Sequence, residues 1–195
     1  MKTENKTIVI ENAILAKKLL WVNAAVSKDS TRPVISQAYV EEITSHGICL
    51  CGTNGRQAHF LPLEGITELA DLEKGDFVLI EKISAKEVTL TVLEFDAKFN
   101  IQFPQINQII PNVSEWKSVR VRTLGQNIVS HISAKTQKSF NGKILADACG
   151  VGTIFTNKRD IELHTFYHDG EHSPALIKLM GNNKGMFTVV MSMRG

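Results

Sequence analysis

The stretch "GICLCGTNGRQAHFLPL" (residues 47–63) decides how this chain is built. It reads as a strand over 47–53, a tight turn, and a strand over 56–63. Asn54-Gly55 is a strong hairpin signal, because both central positions of a type I′ turn need positive φ. The expected turn presents Thr53, Gly55 and Arg56 together at one edge. Cys49 and Cys51 sit two apart in the first strand, so they share one of its sides.

Outward from this hairpin, short and often alternating segments rich in β-branched and aromatic residues predict further strands at 7–11, 38–44, 76–83, 87–95, 98–103 and 186–193. One helix is well signalled between them. Asn12 caps "AILAKKLLWVNAAV", and Leu15, Leu19, Val22 and Val26 form an apolar stripe at helical spacing. Lys17 lies on the opposite face and Lys18 on its flank. "SKDSTRP" then ends the helix with polar residues and Pro33. After Pro111 the pattern is more mixed. Leu124, Ile128 and Ile132 fall at helical spacing, "NGKILADAC" (141–149) suits a short helix capped by Asn141, and Arg120 and Arg122 share one face of a strand.

Composition bounds the function. The chain has 195 residues, 43% of them apolar, so it can bury a core as one large or two small domains. A net charge of +2 and a pI near 8.4 neither demand nor exclude nucleic acid. "MKTENKTIVI" has no apolar signal-peptide core, and no run is long enough for a membrane helix. Three cysteines without framework spacing suit a reducing, cytoplasmic setting.

The enzyme and metal readings are weak. Cys49 and Cys51, with His46, His59 or His131, offer a thiol or zinc constellation, but C-x-C with no second pair is a poor metal signal. Packing cysteines are the better reading, since free Cys is among the most buried residue types. "HTFYHDGEHSP" (164–174) holds three histidines, yet its flanks read as strand and turn, where His164 and His168 would not share a helical face. "GVGTIF" is no G-x-G-x-x-G. No catalytic residue, metal ligand or cofactor is expected.

Four motifs, taken in order, carry a family resemblance. Arg32-Pro33-Val34-Ile35 with Glu41 is similar to "RPxLxGxxxE", and Thr53-Asn54-Gly55-Arg56-Gln57-Ala58 to "ATDGHRLA". "FPQINQIIP" (103–111) is similar to "FPDYRRVLP", and "FTVVMSMRG" (187–195) to "YVVMPMRL". "SFNGKILADAC" also matches a helix of the same family. The chain thus resembles the middle and C-terminal domains of the bacterial DNA polymerase III beta subunit, the sliding clamp. The resemblance does not extend to the family's first domain, so a chain without that domain is expected.

The resemblance implies an α+β, DNA-clamp-like fold: helices on antiparallel sheets, one unit over 1–112 and an abbreviated one over 113–195. It implies a non-catalytic processivity factor of DNA replication or repair. Partner peptides, from a DNA polymerase or another clamp-binding protein, would enter a pocket formed by Ile35, Thr53, Gly55, Arg56, Ala58, Pro111, Val190, Met191, Met193 and Arg194. Methionine suits such a wall because it repacks around different ligands. Lys17, Lys18, Lys28 and Arg32, with Lys135, Lys138 and Lys143 as further candidates, would meet duplex DNA through phosphates, independent of sequence. Two units per chain suggest a homo-oligomer, with three chains closing a six-unit ring. The alternative is a ring-less peptide-binding adaptor or decoy that competes for clamp partners without holding DNA.

Overall fold

The computed structural model describes residues 6–84, 86–93, 103–124, 141–150, 154, 161–168, 174–179, 183 and 185–191. Ten strands form one antiparallel sheet: β1 (Thr7–Ile10), β2 (Ala38–Ile43), β3 (Gly47–Thr53), β4 (Gln57–Pro62), β5 (Phe77–Lys82), β6 (Val88–Leu93), β7 (Lys117–Leu124), β8 (Ile161–His168), β9 (Ala175–Leu179) and β10 (Phe187–Val190). Their order in the sheet is β1-β6-β5-β2-β3-β4-β10-β9-β8-β7. The sheet therefore runs across the expected boundary at residues 112 and 113 through the β4–β10 pairing.

Helix α1 (Ala13–Ala25) starts where Asn12 accepts hydrogen bonds from the Ile14 and Leu15 amides at 3.1 and 3.3 Å. The expected stripe of Leu15, Leu19, Val22 and Val26 is buried. A shorter helix, α2 (Gly142–Ala148), is capped in the same way by Asn141. The mixed second half departs from expectation at Leu124. This residue closes β7, paired with Ile161 across the antiparallel ladder with β8. Ile128, Ile132 and residues 98–102 lie outside the described residues. The run "ALIKL", which forms β9, is buried on both faces and shows no alternation.

Both helices among the described residues cover one face of the sheet. On that side α1 packs with Val40, Leu50, Leu61, Ile80 and Leu90, and α2 contributes to a neighbouring cluster with Phe166, Ile177 and Val190. The opposite face carries Cys49, Cys51, Ala58, Phe60, Phe77, Leu176, Phe187 and Val189, with Phe103 and Ile106 laid over them. The strands obey the two-residue alternation closely: Cys49 and Cys51 face one way, Leu50 the other.

Two contacts press α1 onto the sheet. Gly52 lies under the helix, where a Cβ would sit 2.4 Å from the Val22 carbonyl oxygen. His59, fully buried on β4, stacks on Trp21 with ring centroids 4.3 Å apart, and its Nδ1 lies 2.7 Å from the Trp21 carbonyl oxygen. A carbonyl can only accept, so Nδ1 carries the proton. Trp21 in turn donates from Nε1 to the Ala148 carbonyl at 3.2 Å, which ties α1 to the end of α2.

Candidate functional site

On the face away from the helices, four segments distant in sequence enclose a cavity of about 250 Å³. They are the β3–β4 turn, the end of β10, and two 3₁₀ turns at Pro33–Ile35 and Ile106–Ile109. Ile35, Ala58, Ile106 and Val189 make a buried apolar floor. Ile109 and Met191 stand at the wall, 41% and 46% exposed, so the cavity has apolar surface at its rim as well as its floor. Arg32 and Arg56 add two guanidinium groups, and neither makes an ion pair among the described residues.

The turn that holds Arg56 is built by side chains. Thr53 pairs with Ala58, so residues 54–57 separate the paired positions and the turn is wider than the expected two-residue type I′. The difference comes from Asn54, whose Oδ1 accepts from the Arg56 and Gln57 amides at 2.9 and 3.1 Å, in the manner of an Asx turn. Thr53 Oγ1 donates to the Gln57 carbonyl at 2.8 Å and accepts from the Gly55 amide. Gly55 has φ +82°, which excludes most side chains, and the Arg32 guanidinium lies against it, 3.5 Å from where a Cβ would be. The Met191 amide donates to the Arg56 carbonyl at 2.9 Å, which fastens the end of β10 to the turn.

This arrangement can hold an apolar side chain on a preformed floor, with backbone and cationic groups around it. Its described lining contains no histidine, cysteine or carboxylate to supply acid–base or nucleophilic chemistry.

No family model matches the chain, and no curated protein matches its sequence. Solved structures do match. The DNA polymerase sliding clamp of Bacillus subtilis aligns over 98% of this chain and 65% of its own, at TM-score 0.53 and 14% identity. The DnaN sliding clamp of Bartonella birtlesii, solved bound to griselimycin, aligns over all of this chain and 68% of its own (TM-score 0.55, 13% identity). The C. crescentus beta sliding clamp gives 0.57 at 12% identity, over all of this chain and 67% of its own.

This is the sliding-clamp fold.

The chain spans about two thirds of the length of the clamps it matches. Within this clamp fold, the geometry gathers Ile35, Thr53, Gly55, Arg56, Ala58 and Met191 around one cavity. Two other residues expected there sit elsewhere. Val190 faces the helices, buried beside α2, and Val189 takes the place on the pocket floor, because neighbours on a strand point to opposite faces. Pro111 lines a separate cavity, while Pro104, at the start of the same motif, reaches the pocket. Met193 and Arg194 lie outside the described residues.

Sequence reasoning missed Arg32, Gln57, Pro104, Ile106 and Ile109 as lining residues. Arg32, expected at DNA, lines this pocket. Lys17 and Lys18 are half-buried on α1, and Lys28 is exposed just after it. Lys28 and Lys143 both lie close enough to Asp147 to favour its charged form, although burial wins and raises its pKa. Lys135, Lys138 and His131 lie outside the described residues.

The three cysteines are buried. Burial pushes the Cys49 thiol up to about 12, and those of Cys51 and Cys149 well above the ordinary value. A thiol nucleophile needs the opposite shift. No group of His, Cys, Asp or Glu suited to a metal ion occurs among the described residues. No helix among them is long and apolar enough to cross a membrane.

Proposed function

We propose that this chain is a non-catalytic, clamp-like accessory factor of DNA replication or repair, which captures partner peptides at the Arg32–Met191 pocket and contacts duplex DNA from its helical face. The observation that carries this reading is the convergence of four remote segments on one apolar, cation-flanked cavity within a sliding-clamp fold. The partner class is an extended peptide with an apolar anchor, as would be offered by a polymerase or repair protein. With units over 1–112 and 113–195, the β4–β10 pairing would join them, and β1 and β7, the edge strands among the described residues, suit head-to-tail joining of copies. Three copies would complete a six-unit ring.

The test uses a fluorescent apolar peptide of the clamp-binding class. Met191→Ala and Ile109→Ala remove partly exposed side chains, so folding should survive. Each should weaken peptide binding by about 1–3 kcal/mol if it is a contact of consequence. Unchanged affinity in both folded variants would remove the pocket assignment. Mass in solution and retention on nicked circular against linear DNA address the ring. A monomer that takes peptide but no duplex would leave only a peptide-binding adaptor.

A further inference from the structure

A second cavity, of about 330 Å³, lies on the same sheet face and shares no lining residue with the peptide pocket. Its walls are the β2–β3 turn, the segment Asn107–Val113, and β9. Ile43, Ile110, Val113 and Leu176 make the apolar part, and Lys178 and His46 the ionisable part. Asn107 holds the turn in place. Its Nδ2 donates to the Glu42 carbonyl at 2.9 Å, and its Oδ1 accepts from the Thr44 amide at 3.4 Å.

Lys178 has no carboxylate within 4 Å among the described residues. Its ammonium lies 5.5 Å from the centre of the Tyr167 ring. Glu41 and Glu42, on β2, are bridged to Lys74. His46 is held on two sides, by the Phe187 ring at 4.1 Å and by Ser45 Oγ, 2.6 Å from its Nδ1. Burial first, and the Lys178 charge second, lower its pKa, so near neutral pH the imidazole is uncharged. Its Nε2 has no partner among the described residues. The cavity thus presents one fixed positive charge, one neutral imidazole edge and an apolar wall. One cation matches a monoanion, whereas a phosphate dianion would call for more. The volume suits a small ligand.

We infer that this cavity binds a small apolar monocarboxylate, with the carboxylate on Lys178 and His46 and the hydrocarbon body against Ile110, Val113 and Leu176. Such a group comes either from a free carboxylic acid or from the C-terminus of a peptide. The probes are N-acetyl-leucine, its uncharged isostere N-acetyl-leucinamide, and 4-methylpentanoate, titrated by NMR into the whole chain. Saturable binding of an acid that the amide does not reproduce is expected. Lys178→Gln should weaken it about tenfold, as for loss of a hydrogen bond to a charged group, and Lys178→Arg should restore part of it. Preference for N-acetyl-leucine over 4-methylpentanoate would indicate a peptide C-terminus, and the reverse a simple acid. No saturable binding of either acid, equal binding of the amide, or indifference to Lys178→Gln in a variant that melts like the parent would each overturn the proposal.

Discussion

Lowering the pH should weaken the grip of α1 on the sheet through one residue, His59. Its ring is fully buried, donates from Nδ1 to the Trp21 carbonyl and stacks on the Trp21 indole, while Nε2 has no partner. Burial outweighs the favourable hydrogen bond and lowers the pKa from 6.5 to about 4. The unfolded chain therefore binds the proton more readily than the folded one. The stabilising contribution is complete above about pH 6.5 and is lost as pH falls toward 4. At about 1.4 kcal/mol per pH unit, the full loss is about 3 kcal/mol. The assay is urea unfolding from pH 7.5 to 4.5 for the parent and for His59→Gln, which keeps a donor but does not titrate. Carboxylates common to both proteins cancel in the difference. The parent's advantage should shrink steadily below pH 6.5. A difference that stays flat across the range would refute the reasoning and mean that the folded protein takes up this proton without cost.

Gly52→Ala should destabilise the chain by about 1–3 kcal/mol, because the clash is with the helix backbone at Val22 and not with a movable side-chain tip. Thermal unfolding should show a melting point lower by about 5 °C, and an unchanged one would mean that α1 sits further from β3. Cys49, Cys51 and Cys149 should ignore a thiol reagent at pH 8 and react once urea is added. Stoichiometric labelling of the native protein within minutes would contradict their burial. If α1 faces duplex, Lys17→Glu with Lys18→Glu should weaken binding equally on unrelated sequences, since phosphate contacts carry no base information. The log–log salt dependence should flatten by about 0.9 for each phosphate no longer neutralised, and an unaltered salt slope would place DNA elsewhere.

The parts of the fold legible in the sequence were those whose pattern has one explanation. The Asn12 cap and four apolar residues at helical spacing leave little choice for α1, and alternation around Asn54-Gly55 marks β3 and β4. β9 escaped because "ALIKL" lies in a sheet covered on both sides, which erases the alternation that marks a half-buried strand. The pocket was half legible. Its turn carries its own chemistry in Thr53, Asn54 and Gly55. The strand wall was misread by one residue, although the spacing held the answer: Val189 and Met191 share a face, and Val190 does not. Arg32 and Ile109 had no such signal. Their place depends on how 3₁₀ turns lie across a sheet formed by strands far away in the chain.

The position of β10 sets the order in which this protein can be completed. The strand comes late in the chain yet lies in the interior of the sheet, with Phe187 paired to Phe60 on one side and to Lys178 on the other. While the chain emerges from a ribosome, β1 to β6 can assemble early, and β7 to β9 can form a meander of their own. Until β10 arrives, β4 and β9 each keep an open edge lined with buried-type residues, a template for pairing with the wrong neighbour. Closing this seam spans more than a hundred residues, and such long-range pairings form slowly. The interval between synthesis of β4 and capture of β10 is therefore when the nascent chain is most exposed to aggregation, and slow synthesis of residues 63–186 would lengthen it.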